Sequence, residues 1–142
     1  MSKRNLGLGG LASSLTGLTV VFLVAGSAVA GHRDGHVDVT VPQLSEMAAF
    51  GQTAFNGTCA QCHGENGAGT EKGPPLIHPI YNPGHHSDQS FYNAMHNGVR
   101  QHHWPYGDMP KQEGIGFYES SAIVKFIREV QDANGIVNQQ HH

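Results

Sequence analysis

Both cysteines of this chain fall inside one five-residue run, Cys59-Ala60-Gln61-Cys62-His63. Two thiols at that spacing on a helical turn can each add to one vinyl group of a haem. The histidine that follows then lies under the iron and can ligate it, which is why Cys-x-x-Cys-His serves as an attachment signature for c-type haem. Two other chemistries use paired cysteines. A thioredoxin-like redox pair calls for a βαβ setting, which is absent. A structural zinc site would need two further well-placed ligands. With both sulfurs bound to haem, no disulfide can form within one molecule.

A haem iron held by His63 leaves its other axial position to be filled, and that ligand sets the reduction potential. Met47, Met95, Met109 and ten further histidines are available. Met47 and Met95 fall on apolar helical stripes, where methionine usually fills a core. Met109 stands in a loop, after Gly107-Asp108 and before the stiffening Pro110, with 45 residues between it and His63. That is ample chain to pass round the haem, so Met109 is favoured as second axial ligand over a histidine such as His102 or His103. A thioether favours ferrous iron and raises the potential, whereas two histidines would lower it.

Few helices are needed to position these groups. Thr40 to Gln43 has the form of a capping box, with Pro42 tolerable in a first turn. Leu44, Met47, Ala48, Gly51, Ala54 and Phe55 then recur at helical spacing and lead into Cys59. After His63, glycines and prolines from Gly64 to Gly84 punctuate a long loop. A loop of that length suits so small a domain if it wraps a bulky ligand. Ser87 to Asn97 predicts a second helix ended by Gly98, and Tyr118 to Ala133 a last one with Ala122, Ile123, Phe126, Ile127 and Val130 on one face. Between them, Val99 to Gly116 is irregular. The expected fold class is all-α, with three to four helices and long loops round one covalent haem.

Residues 1–30 predict a signal peptide. Lys3 and Arg4 form a positive start, an apolar stretch runs from Leu6 to Val24, and Ala28-Val29-Ala30 offers a cleavage site. If retained, the stretch would be a membrane anchor of marginal length. Either outcome places the domain beyond the cytoplasmic membrane, in a periplasm or similar exported setting. Residues 31–41 are expected to be a flexible lead, 42–134 the haem domain and 135–142 a polar tail. The formal charge of −3 argues against nucleic-acid binding. Residues 31–142 keep six basic against eleven acidic side chains, a net −5. Such a surface suits redox donors and acceptors that carry a basic docking patch.

Taken together, Leu44 to Val130 resembles the class I, mitochondrial-cytochrome-c-like family of monohaem c-type cytochromes. Gly51, Phe55 and Cys59 match that family's Gly-x-x-x-aromatic-x-x-x-Cys spacing. The resemblance implies a close crossing of first and last helices, with Gly51 and Phe55 against Ile123 and Phe126. Gly73-Pro74-Pro75-Leu76 resembles the family's Gly-Pro-x-Leu segment, implying that the Pro74 carbonyl accepts a hydrogen bond from the His63 ring. Met109-Pro110 matches the axial Met-Pro. The run His102-His103-Trp104-Pro105-Tyr106 lies outside the general pattern. Trp104 and Tyr106 could pack beside the porphyrin, with the indole N–H or Arg100 reaching a propionate. His85-His86 and His102-His103 suggest a second metal site, but exposed or structural histidines are the plainer expectation.

A six-coordinate iron has no open position for a substrate, so the expected function is electron transfer by an electron carrier or an electron-entry subunit of a respiratory chain. Two rivals remain: a haem enzyme or ligand sensor with a labile sixth position, and a His-rich metal-binding module.

Overall fold

The computed structural model describes Met1 and residues 36–139. The chain divides into two units, Met1–Ala30 and Gly31–His142. The expected signal peptide therefore lies outside the described residues, apart from Met1. Among the described residues, no helix is long and apolar enough to cross a membrane.

Among the described residues, the second unit has four α-helices: α1 (Glu46–Thr58), α2 (Ala60–His63), α3 (Asp88–Asn97) and α4 (Phe117–Ala133). Helix α1 begins five residues later than the Thr40 capping box suggested. Ser45 is the cap, its hydroxyl accepting the Ala48 N–H at 3.3 Å. Thr40 is drawn away from that role because its N–H and carbonyl both bond the Asn134 side chain, at 3.0 and 2.7 Å. The expected flexible lead is likewise fastened from His36 onward. The Val37 N–H donates to the Ala68 carbonyl at 2.8 Å, and Val37, Val39, Val41 and Leu44 pack against the core. The tail is also anchored at its start, where Ile136 is buried and its N–H bonds the Gln131 carbonyl.

The core forms where α1 crosses α4. Ala48, Gly51 and Phe55 are the buried face of α1, and α4 buries Ala122, Ile123, Phe126, Ile127 and Val130. The Phe55 and Phe126 rings meet at a 5.6 Å centroid distance and a tilt of 49°. Burying two such rings contributes about 1.5–3 kcal/mol each. Gly51 is what permits the approach, because a Cβ there would overlap the backbone carbonyl of Ala122. Glu119 accepts the Gly116 N–H at 2.7 Å at the start of α4, where an acidic group also favours the helix dipole.

The long loop between α2 and α3 is held by polar side chains of α4. Buried Gln131 donates to the Leu76 and Tyr81 carbonyls at 2.9 and 3.1 Å. Arg128 donates to the carbonyls of Tyr81 and His86 and pairs with Asp88 at 2.7 Å. Two short 3₁₀ turns, Glu65–Gly67 and Pro79–Tyr81, stiffen the same loop. Among the described residues, β-structure is confined to two isolated bridges, Thr70 with Gly73 and Val99 with Met109.

Candidate functional site

Helix α1 runs almost directly into α2, which presents Cys59 and His63 to a shared cavity. The Cys59 carbonyl accepts the His63 N–H at 2.9 Å, so one helical turn fixes the spacing of thiol and imidazole. Neither cysteine is in a disulfide. Burial, reinforced by the neighbouring Cys62, pushes the Cys59 thiol up to about 11. Positions four apart share a helix face. Cys59 and His63 accordingly line the cavity.

The loop after α2 returns to support the imidazole. Thr70 donates its hydroxyl to the Cys62 carbonyl, and its N–H bonds the Gly73 carbonyl at 3.0 Å. Gly73 lies so close that a Cβ would stand 2.9 Å from the Cys62 oxygen. This lays Pro74 beside His63, whose Nδ1–H donates to the Pro74 carbonyl at 2.9 Å. A carbonyl can only accept, so the proton resides on Nδ1. Burial holds the His63 pKa below its ordinary value, with the Pro74 bond pulling the other way. The neutral ring then presents a lone pair at Nε2, the form that ligates a metal.

Met109 enters from the other loop. Its N–H and carbonyl both pair with Val99, each bond 2.9 Å long. The approach requires glycine at position 98, which has φ +76° and whose Cβ would stand 2.7 Å from the Met109 oxygen. The loop this bridge closes is braced across its middle: Asp108 accepts the Gln101 N–H at 2.8 Å, and the Gln101 side chain accepts the Gly107 N–H at 2.7 Å.

Cys59, His63, Pro74, Trp104, Tyr106 and Met109 all line one cavity of about 540 Å³, within the usual range for cofactor sites, about 300–1,000 Å³. Phe55, Leu76, Met95, Ile123 and Ile127 supply apolar wall. Arg100 is exposed and is not part of the wall. Val99 and Gln101 face the cavity, and in extended chain the residue between them points away. Trp104 lies edge-on to His78 at 5.1 Å, and its indole N–H is buried without a hydrogen-bond partner. The Tyr81 hydroxyl feels that N–H, which opposes the burial that pushes its pKa up to about 12, but no hydrogen bond of good geometry joins them.

Sequence reasoning passed over Arg128 and Gln131, the α4 side chains that hold the wrapping loop. Their signal was present: two polar residues three apart, flanked by the buried Ile127 and Val130. It also missed Asn66, at φ +56°. The Asn66 side-chain oxygen accepts bonds from Gln52 and Asn56 at 2.9 and 3.1 Å, tying the loop after α2 back to α1.

The cytochrome c family model matches residues 48–131, spanning α1 through most of α4 and therefore the whole cavity. No curated protein matches the chain. The chain belongs to the cytochrome c family, as a class I c-type cytochrome. It carries a covalently bound haem c with its iron, and its activity is haem-based electron transfer. The residues present fit that group. The Cys59 thiol and an imidazole with a free Nε2 lone pair line an apolar cavity, Cys62 stands in the same turn between them, and an unsatisfied buried N–H on the wall can serve a propionate.

Proposed function

We propose that this protein is an exported electron carrier whose haem is attached at Cys59 and Cys62 and ligated by His63 and Met109. The observation that carries this reading is the convergence of a tautomer-fixed His63 and a backbone-locked Met109 on one cavity. Haem, when bound, supplies a one-electron couple at its iron. The Pro74 carbonyl holds the His63 ring in one orientation and makes Nε2 more electron-rich, since it draws on the Nδ1 proton. The Val99 bridge holds the Met109 backbone in place, which limits rearrangement at the sulfur. Phe55, Leu76 and Ile127 keep water from the cavity interior, and the Trp104 N–H offers a propionate a hydrogen bond.

Histidine ligation is the alternative, since His102 and His103 also reach the cavity wall. Against it, both residues are exposed, whereas Met109 is held to the cavity by its paired bonds with Val99. Export is supported by Lys3, Arg4, the apolar stretch and Ala28-Val29-Ala30, and by the division between units after Ala30. The net −5 of residues 31–142 supports partners with a basic docking patch.

A pyridine haemochrome assay on the purified protein, followed by mixing with carbon monoxide, tests the reading. Thioether-linked haem and no rapid carbon monoxide complex are expected. A tight complex formed rapidly would overturn the closed site and favour an enzyme or sensor.

A further inference from the structure

Four histidines outside the iron-ligand pair gather from two loops. His85 and His86 follow the Pro79–Tyr81 turn, and His102 and His103 lie in the loop closed by the Val99–Met109 bridge. In three of them, His85, His86 and His103, one ring nitrogen each comes within 4.8 Å of the other two. The His85 and His103 Nε2 atoms are 3.3 Å apart. Two imidazole nitrogens at about 2.0–2.1 Å from a tetrahedral ion stand about 3.3 Å from each other, so this pair already has the separation of two ligands on one metal.

The third ligand is oriented from behind. His86 donates Nδ1–H to the Ile80 carbonyl at 2.8 Å, which leaves its Nε2 with the lone pair, as in established metal sites where the second nitrogen is tied to a carbonyl. The His86 carbonyl is in turn clamped by Arg128. His102 flanks the group, its ring 4.3 Å from that of His103. The cluster contains no carboxylate, and an all-imidazole set suits copper, zinc or nickel and not magnesium or calcium.

We propose that His85, His86 and His103, on the wall of the same cavity as His63 and Met109, form a second metal site that takes a divalent transition-metal ion and holds Cu²⁺ more tightly than Zn²⁺. Three protein ligands leave a fourth position open to water or an external donor, the pattern of a reactive or exchangeable site and not of a closed structural one. The order of affinity follows the Irving–Williams series. The ion would tie the loop after the Pro79–Tyr81 turn to the loop that delivers Met109.

The test uses tag-free, chelator-stripped holoprotein dialysed separately against Zn²⁺ and Cu²⁺, with bound metal counted by elemental analysis and affinity measured by calorimetry. One equivalent of either ion per chain is expected, with Cu²⁺ the tighter. His103→Gln, on an exposed loop, should weaken Zn²⁺ binding at least about tenfold, and His85→Gln/His103→Gln should abolish that equivalent. His141→Ala/His142→Ala should leave it unchanged. An unaltered haem absorption spectrum in each variant shows that the fold persists. No bound equivalent in the wild type, or an equivalent that survives the double substitution at full affinity, would overturn the site. A haem spectrum altered by His103→Gln would assign that residue to the iron and overturn the second metal site, so its failure is distinguishable from failure of the Met109 assignment.

Discussion

The two loops that complete the cavity are built on different principles. On the His63 side, helix packing does the positioning: Gly51 lets α1 settle onto α4, Phe55 meets Phe126, and α2 inherits its place from α1. On the Met109 side there is no helix from Val99 to Gly116, and backbone pairing with Val99 does the positioning instead. The first side is buried and apolar, while the second exposes Gln101, His102 and His103. The contrast teaches that stability and redox tuning are divided between the two. Changes in the α1–α4 crossing should unfold the protein, and changes in the Met109 loop should alter the haem while leaving the fold in place.

The largest effect should come from Phe55→Ala, which removes a fully buried ring from the crossing. It should cost about 3–5 kcal/mol of unfolding free energy in denaturant titration of the holoprotein. A loss below about 1 kcal/mol would break the contrast at once. Gly51→Ala comes next, at about 1–3 kcal/mol, because the new methyl has only backbone to push against at Ala122. Ser45→Ala should cost about 1 kcal/mol through the lost cap, and this effect carries a pH signature. Burial alone would raise the Glu129 pKa, but hydrogen bonds from the Ser45 hydroxyl and N–H, with Lys125 adding to them, hold it below the usual carboxylate value. A depressed carboxylate stabilises above its unfolded pKa, and that contribution is lost as pH falls through the folded value. The gap between wild type and Ser45→Ala should therefore narrow from pH 7 to pH 3. The smallest stability effect, within about 0.5 kcal/mol, is expected for Trp104→Phe. Its reduction potential should nevertheless fall, since a propionate that loses a hydrogen-bond donor keeps more negative charge near the iron. An unchanged potential would detach the indole from the haem.

How much was legible in the sequence follows the same division. The α1 stripe from Ala48 to Phe55 and the α4 stripe from Ala122 to Val130 were readable because burial on one helix face imposes a period. The run from Cys59 to His63 was readable because its chemistry demands fixed neighbours. The start of α1 was misplaced because Thr40 and Ser45 are both competent caps, and Asn134, 94 residues away from Thr40, decides between them. The alternation of Val37, Val39 and Val41 was taken for a loose lead, since three residues of extended chain carry little signal without the surface they cover. Arg100 was named as a possible propionate contact, and the structure puts it on the exposed side of the stretch 99–101, off the cavity wall. The histidine pairs were visible as pairs, but their convergence depends on two loops separated by the whole of α3.

The most direct test of a closed His63/Met109 site is the far-red charge-transfer band of Met–Fe(III) ligation in the oxidised holoprotein. The band should be present in the wild type, retained in His102→Gln and His103→Gln, and absent from Met109→Ala. A band that survives Met109→Ala, or a wild type that lacks it, would contradict the assignment.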